Sequence, residues 1–397
     1  NRKKNAETII DSVVADEAGK LPDNSITEVL QRVAGVTIVR FSALNDPDHF
    51  SVEGSGIQVR GLSGVASRLN GREIFSANAG RSLLWGDVTP ELMQAVDVYK
   101  SSSADQIEGG TGGSVDLRTK LPFDYGYGLH VAGSADIGFG DLAREVDYSA
   151  SGLIAGKWST GIGDIGVLVD GAYSQFTSNS QFFRMEPYFR TPINSTDYYI
   201  PGGYDYGEQL FQRRRDGLYA AAQWAPNDDL TFTGIFFQSR YRNVGDEWAS
   251  FVTSQTLSVG PSASKFDSNN ALISSNAIFQ RDPATFLPSG NPITSGGTTG
   301  VSKTRSKTQD ISAAFAWAPS DGPLSLRGGY QRINSTSQVD SLSLFRDFAF
   351  PTSFGLDLSG DLPQLTTPAS FAQSNFFNPA RYQWAAAMPH NELNRGE

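Results

Sequence analysis

The sequence contains no cysteine and only three histidines among its 397 residues. Without cysteine there is neither a disulfide framework nor a thiolate metal site. The histidines, His49, His130 and His390, are far apart and in no metal-ligand spacing. The nucleophile-elbow, zinc-protease and calcium-loop motifs are also missing. We therefore predict that the protein is not an enzyme, with no catalytic residue, no metal site and no resident cofactor.

Long apolar runs and an excess of positive charge are lacking too. No stretch approaches the roughly 18–20 apolar residues of a membrane helix, and no signal peptide is visible behind Asn1. The 42 acidic residues outnumber the 32 basic ones, and the net charge of −10 argues against a nucleic-acid partner. The 41 glycines and 11% aromatic residues favour a β-rich protein. Two classes fit: a soluble β protein, or a membrane β-barrel that has already been processed.

A glycine-rich turn within residues 105–120 marks a change in the character of the chain. Four glycines fall within residues 109–113, and the alternation of Val115, Leu117 and Thr119 after them predicts a short strand. The Lys-Ser/Thr pair of a P-loop is absent, and no helix follows, so phosphate and dinucleotide binding are disfavoured. We interpret the glycines as a tight turn into a packed strand.

Residues 1–122 predict a compact α+β domain. Asp23 is placed to cap a short amphipathic helix that ends at Gly35. Asn70-Gly71 is a strong hairpin signal. The other expected elements are strands over residues 36–41, 57–62, 96–98 and 115–119, and a helix that starts over residues 88–92 with Pro90 in its first turn.

After Pro122, apolar and polar residues alternate in seven segments, as in strands with one apolar face. The segments cover residues 129–139, 150–158, 165–173, 218–224, 230–236, 311–317 and 324–330. The last six form three hairpins on one plan: a strand that ends at a tryptophan, a short turn and a returning strand. Trp158, Trp224 and Trp317 hold the tryptophan position.

Long connections, about 177–212, 242–303 and 333–397, separate these hairpins. Short turns at one end, long loops at the other and aromatic residues at strand ends are typical of an outer-membrane barrel. The alternative is a large soluble β-sandwich or a β-propeller. The regular order of hairpin and long loop favours the barrel, with residues 123–397 as its first strands and the three tryptophans in a membrane-interface belt.

Two further groups of residues are candidates for function. The aromatic residues of the expected loop at 182–211 could stack on sugar rings, or they could be packing residues. These candidate ligand-binding residues are Phe182, Phe183, Tyr188, Phe189, Tyr198, Tyr199, Tyr204 and Tyr206. Arg60 and Glu108, each beside glycine, could form ion pairs that dock the N-terminal domain inside a barrel, or they could be ordinary solvated charges.

Several motifs together resemble the plug domain of the TonB-dependent receptors of Gram-negative outer membranes. In order, they are Leu21-Pro22-Asp23 through Gly35-Val36, Ile57-Gln58-Val59-Arg60-Gly61, Leu69-Asn70-Gly71, Pro90-Glu91-Leu92, Val96-Asp97-Val98-Tyr99-Lys100, and Glu108-Gly109-Gly110 through Leu117. Trp85-Gly86-Asp87-Val88 and Ser102 to Asp105 look most like the oligosaccharide-scavenging branch of this family.

This resemblance implies a 22-stranded barrel filled by the plug in the bacterial outer membrane, surrounded by outer-membrane lipids. It implies active uptake of a scarce nutrient, an oligosaccharide or a ferric siderophore, with TonB, ExbB and ExbD as partners. A passive or structural barrel is the alternative. The pattern gives about seven strands, too few to close such a barrel without unsatisfied edges in lipid. We therefore expect the sequence to be the N-terminal portion of a longer protein, without a recognisable TonB-contacting segment.

Overall fold

The computed structural model describes most of the chain. The described residues are 10–14, 25–40, 54, 56–77, 82–101, 106–107, 109–253, 257–291, 293–320, 322–349, 353–366 and 382–397. Within them, no helix has both the length and the apolar character needed to cross a membrane.

The predicted N-terminal helix is present as α1 (Ile26–Gln31), with Ile26, Val29 and Leu30 buried. Its N-cap is Ser25, whose hydroxyl accepts a hydrogen bond from the Glu28 amide at 3.3 Å. The prediction of Asp23 as the cap was wrong, because the helix begins one residue after Ser25. Asp23 itself lies outside the described residues.

Seven short strands accompany the helix. They are β1 (Ile10–Val14), β2 (Val36–Val39), β3 (Gly56–Val59), β4 (Ala66–Leu69), β5 (Arg72–Glu73), β6 (Met93–Tyr99) and β7 (Ser114–Thr119). Five of them form a sheet in the order β1-β6-β7-β4-β5, and β2 pairs with β3. The helix predicted from Pro90 was wrong: Pro90–Leu92 is one 3₁₀ turn, because the chain enters β6 directly at Met93.

The two predicted turns of this domain are confirmed. Asn70 and Gly71 join β4 to β5 with φ values of 53° and 80°, the left-handed conformation that a two-residue hairpin turn requires. In the glycine run, a Cβ on Gly112 would lie 2.8 Å from the Leu62 carbonyl oxygen. Backbone segments therefore approach each other there more closely than a residue with a side chain allows.

Longer strands follow from residue 128 onward. They and the short strands between them are β8 (Gly128–Gly140), β9 (Glu145–Thr160), β10 (Gly163–Met185), β11 (Tyr188–Ile193), β12 (Thr196–Pro201), β13 (Gly203–Asn227), β14 (Leu230–Thr253), β15 (Leu257–Val259), β16 (Ser264–Phe266), β17 (Leu272–Gln280), β18 (Thr294–Trp317), β19 (Leu326–Ala349), β20 (Ser353–Asp357), β21 (Gln364–Thr366) and β22 (Tyr382–Gly396). Eight of them form one antiparallel sheet, β22-β19-β18-β14-β13-β10-β9-β8, which we call the wall sheet.

The wall strands are more numerous and longer than the sequence pattern predicted. The eighth strand, β22, lies within the expected connection at 333–397, and β10 and β13 stay paired from Asp164↔Ala225 to Met185↔Tyr204. The predicted bounds of the long connections were wrong for the same reason. Apolar alternation stops where the outer face becomes polar, whereas the backbone hydrogen bonds that define a strand continue beyond that point.

The two faces of the wall sheet differ in their surroundings. On the outer face, Val131, Ile137 and Ile154 are 69%, 82% and 57% exposed. On the inner face, Leu168 and Phe237 are fully buried against the N-terminal domain. The outer face therefore presents apolar side chains to the surroundings while the inner face holds a folded domain.

A second apolar core lies at the end of the wall sheet where the long connections are. We call the elements that form it, β11, β12, β15–β17, β20 and β21, the loop cap. The buried members of this core are Ile193, Ile200, Tyr204, Val252, Leu257, Val259, Leu272, Ile278, Ile293, Phe354 and Leu356. The loop cap thus packs around an apolar core to which Tyr204 of β13 and Val252 of β14 also contribute.

Candidate functional site

The N-terminal domain and the wall sheet share one continuous apolar core. Trp85, Val88 and Leu92 of the domain belong to the same buried cluster as Tyr219 and Phe237 of the wall. Tyr219 and Phe237 are at most 1% exposed. Because burying an aromatic side chain contributes roughly 1.5–3 kcal/mol, this core holds the domain firmly against the wall.

Hydrogen bonds also fix the orientation of the N-terminal domain against the wall sheet. The buried Arg215 donates from Nε to the Gly86 carbonyl oxygen at 2.5 Å, and its guanidinium lies 5.5 Å from the centre of the Tyr241 ring. The other contacts are Thr89 Oγ1 with Ser239 Oγ (3.3 Å), Ala77 N to Ser335 Oγ (2.9 Å), Phe123 N to Gln223 Oε1 (2.8 Å) and Gln331 Nε2 to Glu73 O (3.1 Å).

Gly217 on β13 allows the close approach at the centre of this interface. A Cβ at this position would lie 2.6 Å from Leu92 Cδ1 and 2.8 Å from Thr89 Oγ1. Distances this short require a neighbour to move, so the interface accepts glycine there and resists larger residues.

Of the two predicted docking charges, the structure describes only Arg60, and it lies away from this interface. Arg60 is exposed, and its guanidinium donates to the Lys100 carbonyl oxygen at 3.5 Å, within the N-terminal domain. Glu108 lies outside the described residues. The docking role of both therefore stays a prediction. Arg215, which sequence reasoning missed, bridges the two units: extending the period-2 alternation of residues 218–224 backwards would have placed it on the inner face.

A polar cleft of about 740 Å³ lies between the N-terminal domain and strands β8, β9, β10 and β13. Pro90, Glu91 and Met93 form its domain side. The wall side carries Ser134, Asp136, Ser149, Ser151, Ser174 and Arg213. The buried Ser174 hydroxyl has no hydrogen-bond partner among the described residues, so it is available to a water or a polar ligand.

Burial affects the pKa of two acids of the N-terminal domain. Burial raises the pKa of Glu91 above its ordinary value, and nearby Arg215 partly opposes this effect. Burial, with a smaller contribution from Asp97, raises the pKa of Asp116 from 3.8 to about 6. Asp116 and Asp97 are cross-strand partners on β7 and β6, and the Gly71 amide donates to Asp116 Oδ1 at 2.9 Å.

We expect protection of the β6–β7 amides against hydrogen exchange to fall as pH rises from 4 to 6. The folded state binds the Asp116 proton more tightly than the unfolded state, so raising the pH from 4 to 6 removes about 2 kcal/mol of stability. Asp116→Asn keeps an acceptor for Gly71 and should abolish the slope. The exposed Asp141→Asn should not, and an unchanged slope in Asp116→Asn would contradict the assignment.

The predicted aromatic residues lie on strands instead of in an open loop. Phe183 stacks on Tyr204 at a ring-centre distance of 6.1 Å, and Tyr204 meets the edge of Phe354 at 5.3 Å. Tyr198 packs on Phe266 at 4.6 Å. The expectation of a loop was wrong because β10 and β13 continue pairing through four of these positions and the other four lie on the paired strands β11 and β12.

The eight aromatic residues differ in how far they are buried, and so in whether a ligand could contact them. Tyr204 is 1% exposed and belongs to the core of the loop cap, whereas Tyr188 and Tyr199 are 41% and 40% exposed. Ligand binding stays a prediction for the set as a whole. Sequence reasoning missed Phe266 and Phe354 as partners because they lie far along the chain, in segments it left without structure.

The three tryptophans of the proposed belt lie on the outer face at the short-turn end. Trp158 and Trp224 are 46% and 40% exposed, and Trp317 is half-buried. Trp224 stacks on Phe232 at 5.4 Å and donates from Nε1 to the Ile162 carbonyl oxygen at 2.9 Å. Contact with a membrane interface stays a prediction for them.

An α+β domain packed on the inner face of long antiparallel strands defines a plugged β-barrel class of protein. Residues 2–114 match the family model of the TonB-dependent Receptor Plug Domain. The N-terminal unit is therefore a TonB-dependent receptor plug domain, followed by barrel strands, and we call it the plug below. The predicted fold class is confirmed, while the complete strand number of 22 stays a prediction.

Similar solved structures include the unliganded ferric citrate transporter FecA, at 12% identity and a TM-score of 0.35, covering 87% of this chain and 63% of that one. A mutant of the ferric enterobactin receptor from Pseudomonas aeruginosa matches at 12% identity and a TM-score of 0.43, covering 92% and 60%. The ferripyoverdine receptor of the Pseudomonas aeruginosa outer membrane matches at 10% identity and a TM-score of 0.41, covering 98% and 55%. No curated protein matches the sequence.

The chain thus spans 55–63% of the length of these three structures.

Proposed function

We propose that this chain belongs to a TonB-dependent receptor of the Gram-negative outer membrane that actively takes up an oligosaccharide. The plug, held against the wall by a shared apolar core beside a polar cleft, carries this proposal. A domain that fills the inner face has to be displaced or remodelled before a solute can pass. TonB, driven through ExbB and ExbD, would supply the energy for that step.

The hydroxyl-rich lining of the cleft supports a sugar as cargo. The Ser134 and Ser151 hydroxyls are 2.8 Å apart, and Ser149 and Ser174 line the same cleft. Hydroxyl groups both donate and accept hydrogen bonds, as the hydroxyls of a sugar do. Tyr188 and Tyr199, which are 41% and 40% exposed, could stack on a sugar ring. A ferric siderophore is the competing cargo.

The test is accumulation of labelled oligosaccharides and of iron-loaded siderophores by cells that make the full-length receptor. We expect oligosaccharide uptake that stops when TonB is deleted or a protonophore is added. Uptake that survives both treatments would show a passive pore. TonB-dependent uptake of iron alone would keep the receptor class and overturn the sugar.

Substitutions in the loop cap sharpen this test. Tyr188→Ala and Tyr199→Ala should each weaken sugar binding, because each variant removes an exposed ring. The expected loss of affinity is that of one or two stacking contacts between the ring and the sugar. Tyr330→Ala, which removes an exposed ring on β19 outside the loop cap, serves as the control. Equal sugar binding by all three variants would show that the two tyrosines are not part of the ligand site. It would not contradict the proposed transport function.

A further inference from the structure

Three arginines lie side by side on the outer face of the wall sheet. Arg214 on β13 is the cross-strand partner of Arg242 on β14, which is the partner of Arg305 on β18. All three residues are exposed, and no acidic side chain of the described residues forms an ion pair with them. Neighbouring strands lie about 4.8 Å apart, so three like charges repel one another along this arginine row.

The height of the arginine row follows from strand geometry. Ten residues separate Arg214 from Trp224, ten separate Arg242 from Phe232, and twelve separate Arg305 from Trp317. A strand rises about 3.3 Å per residue and tilts about 40° in a barrel, which places the row about 25–30 Å above these aromatic residues. The apolar band of outer-membrane barrels is about 25 Å tall. The row therefore lies at the far boundary of that band, on the side of the loop cap.

The next row toward the aromatic residues is also basic. It holds Arg240 and Lys307, with the Asp216 carboxylate 3.6 Å from the Arg240 guanidinium. One carboxylate therefore faces five cations across three adjacent strands. This excess of positive charge borders a surface whose other residues, such as Leu218 and Ile311, are exposed and apolar.

We propose that the row Arg214, Arg242 and Arg305 binds the phosphate groups of anionic lipid headgroups in the membrane leaflet on the loop-cap side. A planar guanidinium matches phosphate oxygens with two parallel hydrogen bonds. A lipid also accounts for the apolar surface beside the row, because its acyl chains would cover the apolar band directly below the arginines. The anion would remove the repulsion that the three arginines otherwise impose on the sheet.

The inference rests on the proposed membrane placement, and its test separates the two. The full-length protein in detergent is titrated with phosphatidic acid or phosphatidylcholine, and bound lipid is counted by native mass spectrometry. Because each arginine near an anionic headgroup contributes about 1 kcal/mol, we expect about fivefold weaker phosphatidic acid binding for each Arg→Gln change and about 100-fold for R214Q/R242Q/R305Q. The corresponding triple Lys variant should be intermediate, since it keeps the charge and loses the paired hydrogen bonds.

A charge-matched control is R190Q/K265Q/R327Q, which removes three exposed cations elsewhere and should bind like the unchanged protein. Equal phosphatidic acid binding by the two triple Gln variants, equal binding of phosphatidylcholine, or displacement of the lipid by millimolar inorganic phosphate would overturn the inference. If both triple Gln variants insert into lipid vesicles, a loss of lipid binding concerns the arginine row alone and the proposed function still stands. Failure of the unchanged protein to insert would contradict the proposed function itself.

Discussion

Replacing Phe237 by alanine should loosen the plug from the wall sheet, whereas the same change at neighbouring Phe236 should leave it in place. Phe237 is fully buried in the core that the wall shares with Trp85 and Leu92 of the plug. Truncating a buried phenylalanine costs about 3–5 kcal/mol, because its apolar contacts are lost and a cavity remains. That cost falls on the interface between plug and wall.

Phe236 is a matched control, since it is the same residue type one position away on the same strand. Its cross-strand partners are Ala220 and Ile311, so it lies on the outer face. Hydrogen exchange of the β6 and β7 amides in the full-length protein measures the effect on the plug. We expect faster exchange in Phe237→Ala only. The same acceleration in both variants, or in neither, would show that the shared core does not retain the plug.

Val169→Arg should obstruct insertion of the wall into a bilayer, and Ile165→Arg should be tolerated. Both side chains lie on the outer face of β10, where Ile165 shares a row with Trp158 and Trp224. Four residues further along the strand, Val169 lies about 10 Å deeper, near the middle of the apolar band. An arginine there costs about 2–4 kcal/mol, against about 0–1 kcal/mol at the interface.

Folding of the full-length protein into lipid vesicles, followed by denaturant titration, measures this difference. Ile165→Arg is the matched control, because it adds the same charge in place of a β-branched residue on the same strand and the same face. Equal stability of the two variants would contradict the membrane-facing assignment of the outer face. A soluble sandwich or propeller would produce that result, because depth along the strand has no meaning for a face in water.

The local elements of the plug follow from short-range chemistry that is written in the sequence. Asn70 and Gly71 accept positive φ values and so set the hairpin, and the apolar spacing of Ile26, Val29 and Leu30 produces α1. The site at the interface is different. Arg215 looks like a surface charge in a polar run, and only the pairing of β13 with β10 and β14 places it against Gly86.

In the loop cap too, the sequence shows which residues are present and the tertiary structure decides what they contact. Its aromatic residues were visible as a set, but Tyr204 meets Phe354 and Tyr198 meets Phe266 across separations of 150 and 68 residues. No local pattern encodes which distant segments close on each other. Residues that looked available to a ligand therefore became core, and Tyr188 and Tyr199 kept large exposed surfaces.

The sequence by itself determined the α+β plug, the alternation of the wall strands and the positions of the short turns. These depend on φ preferences and on a period of two, which act between neighbours along the chain. The tertiary structure decided the length of the strands, the partners that each arginine meets and the packing of the plug on the wall. Those features depend on strand register and burial, which join residues that are distant in the sequence.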